Sequence, residues 1–104
     1  MKKFGLFLLF CATFLFAKEP QDIVDTNCST CHGTMMEKAC FGVSKIPNTL
    51  SEQTILEALS EYKEGKRNTY SMGGAMTART NMLSDEEIKA LASYVHELGK
   101  KASQ

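Results

Sequence analysis

Cys28, Ser29, Thr30, Cys31 and His32 put two thiols and an imidazole within one short run of chain. On a helical turn, positions i, i+3 and i+4 share a face, so Cys28, Cys31 and His32 point the same way. Two thiols so placed can add to the two vinyl groups of a haem, and the imidazole beside them then sits under the metal as an axial ligand. Ser29 and Thr30 only bridge the cysteines. The pattern is that of c-type haem attachment.

Two other chemistries use a CxxC pair. A thioredoxin-like redox site needs a preceding strand, and Gln21 to Asn27 is too polar and too short for a buried parallel one. A closed zinc site needs four ligands, and only Cys40 and His96 remain as extras once the N-terminal segment is set aside. Haem is the reading adopted, with a haem-free zinc or dithiol module as the alternative.

The elements that must position the motif begin after a leader. Met1-Lys2-Lys3 is basic and Phe4 to Phe16 is uncharged and apolar, the pattern of a secretory signal peptide. The run is shorter than the ~20 apolar residues of a membrane-spanning helix. Ala17 is a small residue at the expected cut before Lys18, and an uncleaved anchor is the alternative. Cys11 lies inside the run, where Phe10 is too bulky for lipoprotein cleavage, and leaves with the leader. Residues 1–17 are therefore expected to be a signal peptide and 18–104 one folded domain. Without Lys2 and Lys3, the twelve basic residues no longer balance the twelve acidic ones, and a slightly acidic chain is a poor partner for nucleic acid.

So small a domain has a marginal core of its own, and a large flat apolar group gives short helices something to pack on. A first helix is expected from Pro20 to His32, presenting the motif, followed by a loop from Gly33 to Leu50. Ser51 caps a second helix, with Ile55, Leu56, Leu59 and Tyr62 at helical spacing and Gly65 as its stop. Lys66 to Leu83 reads as another loop, carrying Tyr70, Met72, Gly73, Gly74, Met76 and Met82, its glycines allowing close approach to a flat ligand. Ser84-Asp85-Glu86-Glu87 is a capping box, and Ile88, Leu91, Ala92, Val95 and Leu98 form the apolar stripe of a last helix that Gly99 ends. Lys100 to Gln104 reads as a solvated tail.

With CSTCHG at Cys28 to Gly33, Glu37-Lys38 and Gly42 in the loop, Gly-Gly-Ala-Met at Gly73 to Met76 and SDEEIKALASYV at Ser84 to Val95, the chain resembles the class I c-type cytochromes, in particular the small bacterial cytochrome c-553 group. The resemblance covers nearly the whole chain after the leader. It implies an all-α fold, three to five helices wrapped around one covalently bound haem c, with a late methionine as second axial ligand. Met76 stands eight residues before Ser84, where the axial methionine falls in similar cytochromes. Met72 is its rival, while Met35, Met36 and Met82 read as packing.

Two departures accompany the likeness. Pro20 and Val24 stand where the family often has a glycine and an aromatic at the crossing of its terminal helices, while Tyr94 matches the aromatic of the last helix. Cys40 stands where similar sequences have a small apolar residue, and is expected to be a buried unreactive thiol rather than a redox or dimer-forming one. His96 reads as a solvent-facing histidine.

With His32 and Met76 as iron ligands, the implied function is single-electron transfer and not catalysis, by a monomeric carrier in the periplasm, where such haems are attached. Its implied partners are redox proteins, a quinol-oxidising cytochrome complex and a terminal oxidase or peroxidase, with no stable membrane insertion after signal removal. Lys63, Lys66 and Arg67 are candidates for the docking surface or for a propionate. A carbonyl between Gly42 and Pro47 is expected to accept the second ring proton of His32. The alternative is an open-site haem enzyme or gas sensor without methionine ligation.

Overall fold

The computed structural model describes residues 18–42, 44–68, 71 and 73–102. The expected signal peptide, Tyr70 and Met72 lie outside them. Among the described residues all regular structure is helical: α1 (Pro20–Ile23), a π-helical turn (Val24–Cys28), α2 (Ser29–His32), α3 (Glu52–Lys63), α4 (Gly73–Thr80) and α5 (Asp85–Ala102). Short 3-10 turns at Cys40–Gly42 and Pro47–Thr49 punctuate the loop between α2 and α3. No helix among the described residues is long and apolar enough to cross a membrane.

The expected first helix exists, but with a π turn at its middle. Thr26 and Ser29 donate their hydroxyls to the carbonyls of Asp22 and Asp25 at 2.8 and 2.9 Å. Hydroxyls bonded back by four residues compete with the backbone ladder. The Ser29 N–H accordingly reaches five residues back to Val24. The wider turn lets the sequence neighbours Ile23 and Val24 both be fully buried ahead of the motif.

Ser51 accepts from the Thr54 N–H at 3.1 Å and starts α3, which ends before Gly65 at φ 73°. The capping box is reciprocal: Ser84 N–H donates to Glu87 Oε1 at 2.9 Å and Glu87 N–H to Ser84 Oγ at 3.1 Å. From there Ile88, Leu91, Ala92, Val95 and Leu98 are buried along α5. They pack with Ile55 and Leu59 of α3 and with Ile23 and Val24, while Tyr94 lies against the same cluster. The first and last helices thus meet with Val24 in place of an aromatic.

Two expectations are corrected. Residues 73–80 form α4 and not loop. Ala75, Met76, Ala78 and Arg79 are good helix formers, and Asn68 Oδ1 accepts from the Gly73 N–H at 2.9 Å. Gly73 is needed because a Cβ there would lie 2.2 Å from the Arg67 carbonyl oxygen, whereas Gly74 faces open space. Gly99 likewise does not stop α5, which runs on through Lys100 and Lys101. Its missing Cβ would lie 1.8 Å from the Asn48 carbonyl oxygen, so it serves a close crossing and not a terminus.

The capping box makes the last helix sensitive to acid. The backbone N–H of Ser84 holds the Glu87 carboxyl below its ordinary range, with smaller help from the Lys18 N–H. Its folded pKa is below the unfolded one, so its contribution is present above the unfolded pKa and lost as pH falls through the folded value. Ser84→Ala should cost about 1 kcal/mol in denaturant melts near neutral pH. Glu87→Gln should flatten the acid limb of the stability profile.

Candidate haem site

Cys28, Cys31 and His32 all line one cavity of about 420 Å3. The π turn returns to α-helical geometry at Ser29, and the Gly33 N–H closes the last turn on the Ser29 carbonyl at 2.8 Å. Gly33 then leaves the helix at φ 85°, where a Cβ would strike the Glu37 carboxylate. The chain folds back at once: Lys38 N–H donates to the His32 carbonyl at 2.9 Å, and the Lys38 carbonyl lies 3.0 Å from His32 Nδ1. A carbonyl can only accept, so Nδ1 carries the proton and Nε2 is the nitrogen left for a metal. The acceptor is therefore Lys38 and not a residue between Gly42 and Pro47; a backbone carbonyl has no signature in sequence.

Met76 reaches the same cavity from α4. Two polar links hold that helix in place: Thr77 donates its hydroxyl to the Tyr62 carbonyl on α3 at 2.7 Å, and Asn27 beside the motif donates its amide to the Arg79 carbonyl at 3.3 Å. Within the helix, Thr80 donates to the Met76 carbonyl at 2.9 Å. Met36 is buried and lines the cavity, as a packing role implies, whereas Met82 is 90% exposed and neither packs in the core nor lines the cavity. Neither Gly73 nor Gly74 lines the cavity, so these glycines serve the backbone and not the approach of a ligand.

The walls are apolar, with Ile55, Leu59, Leu91 and Val95 behind the sulfur and imidazole groups. Among the described residues the only charged side chains in the lining are Lys45, Arg67 and Arg79. An apolar space of this size, edged with cations and free of carboxylates among the described residues, fits a flat apolar ligand that carries carboxylates. Haem with its two propionates is such a ligand. Arg67 is held by Glu61 and stacks 5.7 Å from the Tyr62 ring centroid. Lys63 pairs with Asp85 at 3.1 Å and Lys66 with Glu64 at 2.9 Å, so of these three candidates only Arg67 faces the cavity.

Burial pushes the Cys28 thiol up to about 11, with the Arg79 charge opposing, whereas dithiol exchange uses a lowered attacking thiol. Among the described residues no group of His, Cys, Asp and Glu converges as a metal cluster. Cys40 is buried, as expected, and its thiol also stands up from the ordinary range, through burial and a hydrogen-bond contact with Cys31. His96 is half-buried and not solvent-facing: its Nδ1 lies 3.2 Å from the Leu50 carbonyl, and it does not line the cavity.

Arg79 and Thr80 were not foreseen in the site. They stand three and four residues after Met76, a relation visible only once 73–80 is read as helix.

Residues 17–99 match the family described as Cytochrome c. Cytochrome c-553 of Helicobacter pylori strain J99 is 42% identical over 84 residues, 81% of this chain and 82% of that one. Cytochrome c-553 of strain 26695 is 42% identical over 69 residues, 66% of this chain and 68% of the other. No solved structure matches. The chain belongs to the cytochrome c family, whose covalently bound haem c is the group that Cys28 and Cys31 in their CxxCH motif fit.

Proposed function

We propose that the protein is a periplasmic monohaem electron carrier of a respiratory chain, with Cys28 and Cys31 as thioether anchors and His32 Nε2 and the Met76 thioether as axial ligands. The single observation that carries this reading is that Met76 and the CSTCH motif, over forty residues apart, line the same apolar cavity. Haem c supplies a one-electron ferric–ferrous couple. The chain's residues do the rest: the Lys38 carbonyl orients the imidazole, α4 holds the methionine, and the apolar wall excludes water. With both axial positions taken by side chains no site is open to substrate, and the thioether favours the ferrous state. Arg67 and Lys45 are the propionate partners in this reading.

The leader 1–17 would deliver the chain to the periplasm, leaving 18–104 as the mature domain. The Lys18 backbone nitrogen lies 3.2 Å from Glu87 Oε2. Cleavage after Ala17 would turn that nitrogen into an α-ammonium facing a carboxylate, a favourable pairing at the start of α5. Contacts with a quinol-oxidising complex and with an oxidase or peroxidase would be small and brief, as redox encounters are.

The mature chain co-expressed with haem-attachment machinery should gain the mass of one haem, and replacing both Cys28 and Cys31 with alanine should abolish that gain. A bare chain in the first case would establish a haem-free dithiol module instead. The oxidised protein should show the methionine-to-iron charge-transfer band and bind cyanide slowly. Met76→Ala should remove the band, open the iron to cyanide and lower the reduction potential, whereas Met72→Ala should leave the spectrum unchanged. The converse pattern would transfer the ligand to Met72, and fast cyanide binding by the unaltered protein would favour an open-site enzyme or sensor.

A further inference from the structure

The loop that carries the Lys38 carbonyl is not held by its own bonds alone. Asn48, in the 3-10 turn Pro47–Thr49, grips it twice: its backbone N–H donates to the Met36 carbonyl at 3.0 Å and its side-chain amide to the Met35 carbonyl at 3.0 Å. Two successive carbonyls are thus tied to one residue, two positions before Lys38. Met36 is at φ 56°, a left-handed conformation that a non-glycine side chain keeps only where its surroundings impose it. The Met36 N–H bonds the Gly33 carbonyl at 3.0 Å and the Met36 carbonyl takes the Asn48 N–H, so Asn48 closes one side of that constraint.

Asn48 is itself seated from behind. Its carbonyl oxygen occupies the space a Cβ of Gly99 would fill, so α5 passes at backbone contact. Mechanical continuity therefore runs from α5 through Gly99 and Asn48 to the Met35–Met36 turn, then to Lys38 and the His32 ring.

We propose that Asn48, seated on Gly99, is a positioning residue that sets the His32 imidazole through the Lys38 carbonyl. The proposal rests on His32 being the iron ligand. A firm Nδ1–H to carbonyl bond makes the imidazole a stronger donor to the metal and favours the ferric state. Loosening the grip of Asn48 lengthens that bond, weakens the donor and raises the reduction potential.

The test uses the haem-loaded protein, with NMR of the ferrous form and redox titration. In the unaltered protein the His32 ring protons should show the ring-current shift of an iron-bound imidazole. Asn48→Ala should speed exchange of the Nδ1–H at least tenfold and move the potential upward, with the methionine-to-iron band retained in the oxidised form. Asn48→Asp, like Asn48→Ala, keeps the backbone bond to Met36 and loses the side-chain donor, and its carboxylate faces the Met35 carbonyl, so it should shift both readouts the same way and at least as far. Gly99→Ala, which displaces Asn48 without altering its side chain, should reproduce the Asn48→Ala shifts. Ser84→Ala is the control: it weakens the fold at a distance and should move neither the potential nor the ring exchange. If Ser84→Ala shifts them as Asn48→Ala does, or the Asn48 variants leave them unchanged while the imidazole stays iron-bound, the positioning role is overturned. Absence of the ring-current shift in the unaltered protein would overturn the ligand reading and the proposal together.

Discussion

The side chains of Ile55, Leu59, Leu91 and Val95 belong at once to the buried core and to the wall of the cavity. The helices of this small chain therefore close around a space and not only on one another. A flat apolar ligand seated there would bury the same side chains that the core buries, and so would be part of the core in the energetic sense. Covalent attachment at Cys28 and Cys31 would keep it there whatever the charge on the metal, with which noncovalent affinity alone would vary.

Given that space, the polar groups around it divide by distance from the motif. Next to the motif the backbone does the orienting, through the two contacts between His32 and Lys38. On the α4 side the orienting falls to side-chain hydroxyls, with Thr77 tied to Tyr62 and Thr80 to the Met76 carbonyl. The charged lining consists of cations only, which suits propionates and leaves the paired acids Glu61, Glu64 and Asp85 outside. A rigid, water-poor setting with fixed dipoles keeps reorganisation on electron transfer small.

What the sequence made legible follows from how local each signal is. The spacing of Cys28, Cys31 and His32, the caps at Ser51 and Ser84 and the stripe from Ile88 to Leu98 are written within one or two turns of chain, and each is present in the fold. The misread elements depend on contacts that no pattern in the chain announces. Gly99 looks like a helix stop in a linear reading, because the Asn48 carbonyl that requires it lies far earlier in the chain, and Gly73 looks like a place for a ligand to approach, although it is the nearby Arg67 carbonyl that requires it. The His32 acceptor was misplaced for a related reason: every residue type carries the same backbone carbonyl, and only the fold-back after Gly33 selects Lys38.

These two glycines also change the meaning of the loops. In the linear reading, residues 33–50 and 66–83 are strips laid over a ligand, free to adapt. In the fold the first is pinned to α5 by a backbone contact that admits no Cβ, Asn48 at Gly99, and the second contains α4, whose first turn takes the Arg67 carbonyl at Gly73 and whose Thr77 bonds α3. Met76 therefore sits on a helix whose start is fixed by Asn68 and the Arg67 carbonyl, and His32 faces a carbonyl whose loop is gripped by Asn48. Both side chains proposed as iron ligands are held by elements that cannot slide independently of the core. That restraint, more than the identity of the two ligands, is what suits the site to passing an electron without changing its shape.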